Sequence, residues 1–272
     1  MKQTTTLKFL NIRCLIGILL TATCIPNTYA LTSEEKGLEI AKEMDRRDSG
    51  WKDSSSRVDM LLSNRAGETS KRKLRIEFLE VKQQGAGDKS MVVFDEPRDI
   101  KGTAFLTHSK IHTEDSQWLY LPALKRVKRI SSANKSGPFV GSEFAYEDLI
   151  ADEVEKYTYK WVKDSNCGDL ECYAIERYPV YNNSGYSHQV VWIDKAEYRR
   201  IKIDYYDRKQ ELLKTLNYTG YKQYLNKYWR AQQLTMTNHQ TGKNTQLEFS
   251  PYTFQTGLND KSFSRNRLKR AH

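Results

Sequence analysis

The chain has 272 residues, with 44 Lys and Arg against 34 Asp and Glu, for a formal charge of +10. Acids are interleaved with the cations almost everywhere, so the basic balance is dispersed along the chain. No linker, low-complexity tract or repeat breaks the sequence, and one domain is expected after the leader.

Residues 1–30 read as a secretory signal. Lys2, Lys8 and Arg13 precede the apolar run from Cys14 to Ile25, and no acid occurs before Glu34. The run is too short to span a bilayer as a mature helix. Thr28-Tyr29-Ala30 offers small residues at the positions a signal peptidase reads, which places cleavage after Ala30. Thr21-Ala22-Thr23 before Cys24 fits a lipidation box poorly, so a soluble periplasmic protein is expected. Loss of the leader removes three cations and leaves 41 against 34 acids, or +7. Export argues against nucleic acid as a partner, despite this basic balance. No later apolar run approaches the roughly 18 residues of a membrane span.

The remaining residues, 31–272, begin with a helix over Thr32 to Arg47. Thr32 caps it and Glu35 completes a capping box, while Leu38, Ala41 and Met44 share a face and Gly50 signals the end. Ser54-Ser55-Ser56 reads as a polar loop. Leu74, Ile76 and Phe78 alternate with Lys73, Arg75 and Glu77, the pattern of a half-buried strand. The turn at Gln84-Gly85-Ala86-Gly87-Asp88 leads into a strand at Met91 to Phe94.

From Gly102 to Ile150 the sequence is rich in strand-forming apolar and aromatic residues. It contains GTAFL from Gly102, DSQWLYLPAL from Asp115, a basic run, and GSEFAYEDL from Gly141. Pro122 must end the strand, bulge it or lie at an edge. Lys125, Arg126, Lys128 and Arg129 follow within five positions, a basic strip beside an apolar wall that suits anionic amphiphiles or an acidic partner. Ser142 to Ala151 reads as a short helix capped by Ser142.

Further strands are expected at Glu153–Lys163, Cys172–Tyr181, Gln189–Ile193, Tyr198–Tyr206, Leu212–Tyr221, Tyr228–Asn238 and Thr245–Tyr252, with turns at Gly185, Gly220 and Gly242. Leu258 to Lys269 reads as a basic helix or a frayed end. Cys167 and Cys172, five apart around a Gly-Asp turn in an oxidising compartment, form a disulfide pinning a hairpin. Closing so small a loop contributes roughly 2 kcal/mol. Many strands with few helices imply a mainly β fold built on a strongly curved antiparallel sheet or incomplete barrel.

The segments GTAFL, DSQWLYLPALKRVKRI and GSEFAYEDL, in this order and spacing, resemble the outer-membrane lipoprotein-sorting proteins, relatives of LolA. Val191-Trp192-Ile193-Asp194, Tyr205-Tyr206-Asp207-Arg208 and Met236 to Gly242 extend the resemblance, which runs from about Gly37 to Leu258. It implies a half-barrel sheet whose concave face is covered by helices over an apolar cavity. The expected lid is the Thr32–Arg47 helix plus the segment from Phe144 to Ile150. It also implies a carrier for a lipid or lipoprotein acyl chain, serving with an RND- or MMPL-type inner-membrane exporter. The chain is longer in its C-terminal half than a dedicated lipoprotein shuttle, which opens the cargo to other lipids.

No residue constellation carries covalent chemistry. His108 and His112 are four apart but stand in a strand-and-turn context without the Glu of an HExxH motif. The glycines at 85 and 87 lack the Lys-Ser/Thr of a phosphate loop. Acid pairs such as Asp95-Glu96 and Asp152-Glu153 point oppositely along a strand. No enzyme, metal or cofactor is therefore expected. The 17 Tyr, five Trp and nine Phe include Tyr157, Tyr159, Tyr205, Tyr206, Tyr218 and Tyr221 within predicted strands, where half-polar aromatic walls suit a chamber for an acyl chain. Trp118/Tyr120 and Leu119/Leu121 are both apolar pairs, and periodicity does not say which faces inward. Trp118 and Tyr120, with Phe78, Phe105 and Tyr205, are taken to line the ligand space. Lys125, Arg126, Lys128 and Arg129 are taken to meet headgroups or the exporter. The alternative is an adaptor that docks to an envelope complex and carries nothing.

Overall fold

The computed structural model describes Met1 and residues 30–83 and 85–270. The expected signal, its Cys24 and its apolar run thus lie outside the described residues, as does Gln84 of the turn before the third strand. Helix α1 (Ser33–Asp48) begins at the expected capping box, with Thr32 Oγ1 accepting from Glu35 N and Thr32 N donating to the Glu35 carboxylate. Glu34 and Glu35 in its first turn and Arg46 and Arg47 in its last complement the helix dipole. Among the described residues no helix is long and apolar enough to cross a membrane.

Six strands follow: β1 (Asp53–Ser63), β2 (Thr69–Leu79), β3 (Ala86–Glu96), β4 (Ala104–Lys110), β5 (Ser116–Leu121) and β6 (Arg126–Ile130). After a long crossover come β7 (Tyr157–Cys167), β8 (Leu170–Pro179), β9 (Tyr186–Asp194), β10 (Arg200–Asp207) and β11 (Leu212–Thr219). A separate ribbon pairs β12 (Lys222–Tyr224) with β13 (Tyr228–Arg230). The chain then adds β14 (Gln233–Asn238), β15 (Asn244–Phe249) and the short β16 (Thr253–Phe254) beside β1.

Among the described residues, fourteen strands make one antiparallel sheet in the order β6-β5-β4-β3-β2-β1-β15-β14-β11-β10-β9-β8-β7, with β16 off the path. The chain thus enters at the centre, meanders to one edge, crosses over, lands on the opposite edge, and meanders back to pair β15 with β1. The sheet does not close into a barrel, because β6 and β7 never meet.

Strand alternation sorts the side chains onto two faces. The inner face carries the main core, with Val58, Met60, Leu74, Phe94, Phe105, Leu119, Ile175, Ile203 and Met236 all buried. Helix α1 adds Ile40 and Ala41 to it, and the crossover adds Phe139 and Phe144. Gly37 lets α1 approach β7: a Cβ there would sit 2.7 Å from the Trp161 backbone nitrogen.

The outer face of β3 and β4 holds a second core, formed by Met91, Val93, Ala104 and Leu106. Its cover is the C-terminal segment, where a 3-10 turn (Asp260–Phe263) and α2 (Arg265–Leu268) bury Phe263 and Leu268 completely. The tail is therefore neither a long basic helix nor a frayed end. Its two apolar anchors decide its fate, and Arg267 pairs with Glu77 on β2.

Three other expectations are corrected. Ser54-Ser55-Ser56 is strand, not loop: it lies in β1, where Ser54 and Ser56 are buried and Ser56 Oγ donates to Ser250 O at 2.7 Å. Ser142–Ala151 is not a helix but an irregular run with a 3-10 turn at Tyr146–Leu149, and Ser142 ends the preceding turn by donating to Phe139 O at 2.7 Å. Tyr228–Asn238 is split between the ribbon and the main sheet. The Cys167–Cys172 disulfide is present, across the β7–β8 hairpin.

Candidate functional site

The crossover, residues 131–156, lies over the inner face and is tied down on both halves of the sheet. On the first half Gln117 Nε2 donates to Tyr146 O at 2.8 Å, Arg72 reaches Val140 O, and Ala151 N donates to Ser109 Oγ at 2.8 Å. Lys156 and Asp115 form a buried ion pair.

On the second half the ties are made to one cross-strand row. Registers place Tyr159, Arg177, Gln189, Tyr205, Lys214 and Asn238 side by side across β7 to β14. Three acids of the crossover descend on this row. Glu143 Oε2 accepts from Asn238 Nδ2 at 2.7 Å. Asp148 Oδ2 accepts from Lys214 Nζ at 2.6 Å, and its Oδ1 from the Tyr186 hydroxyl at 2.7 Å. Asp152 accepts from Arg177 Nη1 at 2.6 and 2.7 Å and also meets Arg200. Asp148 and Lys214 are only 3% and 4% exposed, so the cover is fastened by desolvated charge as well as by Phe139 and Phe144.

The Asp152 cluster is deep. Burial pushes its carboxyl up, but Arg177 and Arg200 outweigh that and hold it at about 2. Burial likewise pulls both guanidiniums down, and Asp152 more than restores them. Burial raises Tyr157 to about 12, and raises Tyr205 and Tyr218 as well. Yet Arg200 and Asp152 keep 28% and 23% of their side chains accessible.

The inner face has two kinds of wall. Toward β1–β6 it is aliphatic and Phe-rich, with Phe105 and Phe139 rings 5.1 Å apart. Toward β7–β11 it is lined by tyrosines around the Arg177 pair. Two open depressions of about 590 and 340 Å³ flank the crossover, both touching Gly141, Glu143 and Lys243. Their volumes fall within the roughly 300–1,000 Å³ of small-molecule sites.

The structure does not bring the five expected lining residues together. Phe105 and Tyr205 are buried in the inner core. Phe78 is half-buried on β2, in register between Ser54 and Ser90. Trp118 and Tyr120 pack on the outer face, in the second core, where Trp118 meets His108 edge-on at 5.1 Å. Parity is the physical reason: Leu119 and Leu121 take the inner face, so their neighbours turn outward. Both pairs are apolar because both faces are covered.

Lys125, Arg126, Lys128 and Arg129 are all exposed, at and along edge strand β6. Inner-facing Ile130 and outer-facing Val127 place Arg126 and Lys128 on one side of the strand and Arg129 on the other. His108 Nε2 lies 2.7 Å from Phe263 O, which ties it to the C-terminal cover, and His112 is exposed. Arg177, Arg200, Asp148, Asp152 and Lys214 went unread in the sequence as site residues. One signal was available: in β8, Arg177 shares the inward parity of Tyr173 and Ile175, and a cation on a buried face marks a buried ion pair.

Comparison with known proteins fixes the family. A domain from Vibrio parahaemolyticus named for outer membrane lipoprotein sorting is 56% identical, with a TM-score of 0.85 over 87% of this chain and 100% of that one. The chain belongs to the outer-membrane lipoprotein-sorting family. A DUF1329 family protein from Desulfovibrio piger is 30% identical, with a TM-score of 0.83 over 88% of this chain and all of that one. A LolA superfamily protein from Nitrosomonas europaea, 19% identical over 88% of this chain and 100% of that one, shares the fold at a TM-score of 0.68. The profile of a family described only as an uncharacterized protein matches residues 86–270. No curated protein matches the chain.

Proposed function

We propose that this sorting-family chain is a periplasmic carrier. It shields the acyl chain of a lipid or lipoprotein between the sheet and its crossover, without a covalent step, and hands it on at an RND- or MMPL-type exporter. The observation that carries the reading is a crossover laid over an inner face that is apolar toward β1–β6 and rich in tyrosine and arginine toward β7–β11, and latched to it through Asp148 and Asp152. Burying an acyl chain there contributes about 0.8 kcal/mol per CH₂, ample for capture from water. Phe105 and Tyr205 are the buried inner-face residues of the expected set, and Phe78 stands half-buried on β2; Trp118 and Tyr120 pack in the outer core.

Exposed Lys125, Arg126, Lys128 and Arg129 form the surface that meets lipid phosphate or an acidic patch of the exporter. In the competing reading, an adaptor that carries nothing, this cationic edge is the whole working surface. Native mass spectrometry of the protein purified from periplasm separates the two. A co-purifying lipid supports the carrier, and ligand-free protein that also fails to take up a fluorescent fatty acid overturns it.

A further inference from the structure

We infer that Arg177 and Arg200 form a headgroup site, which takes the carboxylate or phosphate of an anionic amphiphile whose acyl chain lies along the β1–β6 wall. The inference rests on the carrier reading and names its cargo class.

The local charge is unbalanced. Two guanidiniums share one hydrogen-bonded carboxylate, Asp152. Arg177 is fully engaged on one side, with Nε donating to Gln189 Oε1 at 2.7 Å and Nη1 to both Asp152 oxygens. Arg200 is not. One terminal nitrogen meets Asp152, and its buried Nε has no acceptor at all. Asp45 on α1 lies within electrostatic reach of Arg200 but makes no hydrogen bond to it.

A buried donor of a charged group without an acceptor is costly. It is expected where a ligand supplies the missing acceptor. The fork of a guanidinium matches the paired oxygens of a carboxylate or phosphate. The surroundings favour such a ligand over water alone. The Arg177 guanidinium lies 4.4 Å over the Tyr157 ring, and Tyr218 is within electrostatic reach of both cations. These tyrosines add neutral hydroxyl donors without further charge. The apolar wall toward β1–β6 offers the place for a chain attached to that anion. A cationic end beside an apolar inner face describes the complement of an anionic amphiphile.

The test uses residues 31–272 and three probes of equal chain length: palmitate, hexadecyl phosphate and hexadecanol, each below its aggregation threshold. Affinities come from displacement of a fluorescent fatty acid. An anion held by charge-assisted hydrogen bonds gives an advantage of about 10- to 150-fold over the alcohol. Arg200→Gln brings that ratio close to one. Preference for palmitate identifies a carboxylate, and preference for hexadecyl phosphate a phosphate; either supports the site. If Arg200→Gln lacks the wild-type circular dichroism spectrum, Arg200→Lys replaces it, since a point charge without the Nε donor also lowers the ratio. Equal wild-type affinity for all three probes, or an unchanged ratio in the variant, overturns the headgroup site and leaves the carrier standing. Absence of binding by every probe overturns both.

Discussion

Removing the positive half of the deepest cover latch isolates its contribution. In Lys214→Met, Asp148 keeps its bonds from the Tyr186 hydroxyl and the Ala145 amide but loses the only cation paired with it among the described residues. Breaking a buried pair in this way costs about 3–5 kcal/mol, since one charge stays desolvated and uncompensated. For a domain of this size each kcal/mol moves the midpoint by about 2–4 °C, so the expected drop is about 6–20 °C. Lys214→Met/Asp148→Asn removes the stranded charge while keeping an acceptor for Tyr186, and recovers at least about half of the loss. Thermal melts at pH 7 read the stability. Hydrogen exchange at the amides of Ala145, Tyr146 and Asp148, all bonded within the cover, reads whether the latch fails first. A single variant melting within about 2 °C of wild type, or a double variant as unstable as the single, refutes the reasoning.

Gly37→Val places a side chain against the Lys160–Trp161 backbone; overpacking lifts α1 and lowers stability by about 1–3 kcal/mol, and an unchanged melt contradicts the contact. Phe263→Ala, at a fully buried anchor of the C-terminal cover, costs about 3–5 kcal/mol, measured by urea unfolding. Reversal of Lys125, Arg126, Lys128 and Arg129 to Glu leaves the melt nearly unchanged but slows association with anionic vesicles, and the difference fades toward 0.5 M salt, where the Debye length is about 4 Å; equal rates at low salt sink the docking surface. Burial raises Asp88 from 3.8 to about 7, with Glu153 and Glu80 adding to the shift. The folded state then holds a proton that the unfolded state has lost, so stability falls as pH rises from about 4 through 7. Asp88→Asn removes that slope, and parallel pH profiles for the two proteins would count against it.

The parts of the fold legible in sequence are those set by local chemistry. The Thr32–Glu35 box, the alternation at Leu74, Ile76 and Phe78, and the Cys167–Cys172 hairpin need no knowledge of the rest of the chain. The parts that escaped depend on distant covers. Trp118 and Leu119 are equally apolar because the crossover buries one face and Phe263 with Leu268 the other, so alternation alone carries no direction. The serines of β1 read as loop because Ser250 and strand β16, which satisfy them, come nearly 200 residues later. The Glu143–Asp148 stretch has a helical look, yet its acids are spent on Asn238, Lys214 and Tyr186 rather than on a helical turn. Of the site, the aromatic content of β7–β11 was visible. The pairing of Asp152 with Arg177 and Arg200 was not, because three separate segments supply it.

The crossover leaves the sheet at β6 and rejoins it at β7, the two free edges. It is therefore anchored at both ends. Sheet and crossover stand to each other as a bow and its string. Bending the bow further brings the edges together and slackens the string, while flattening it draws the string taut against the floor. In the carrier reading, room for a guest is then set by the curvature of the whole sheet, and a partner that presses on the cations of β6 reaches the interior by changing that curvature.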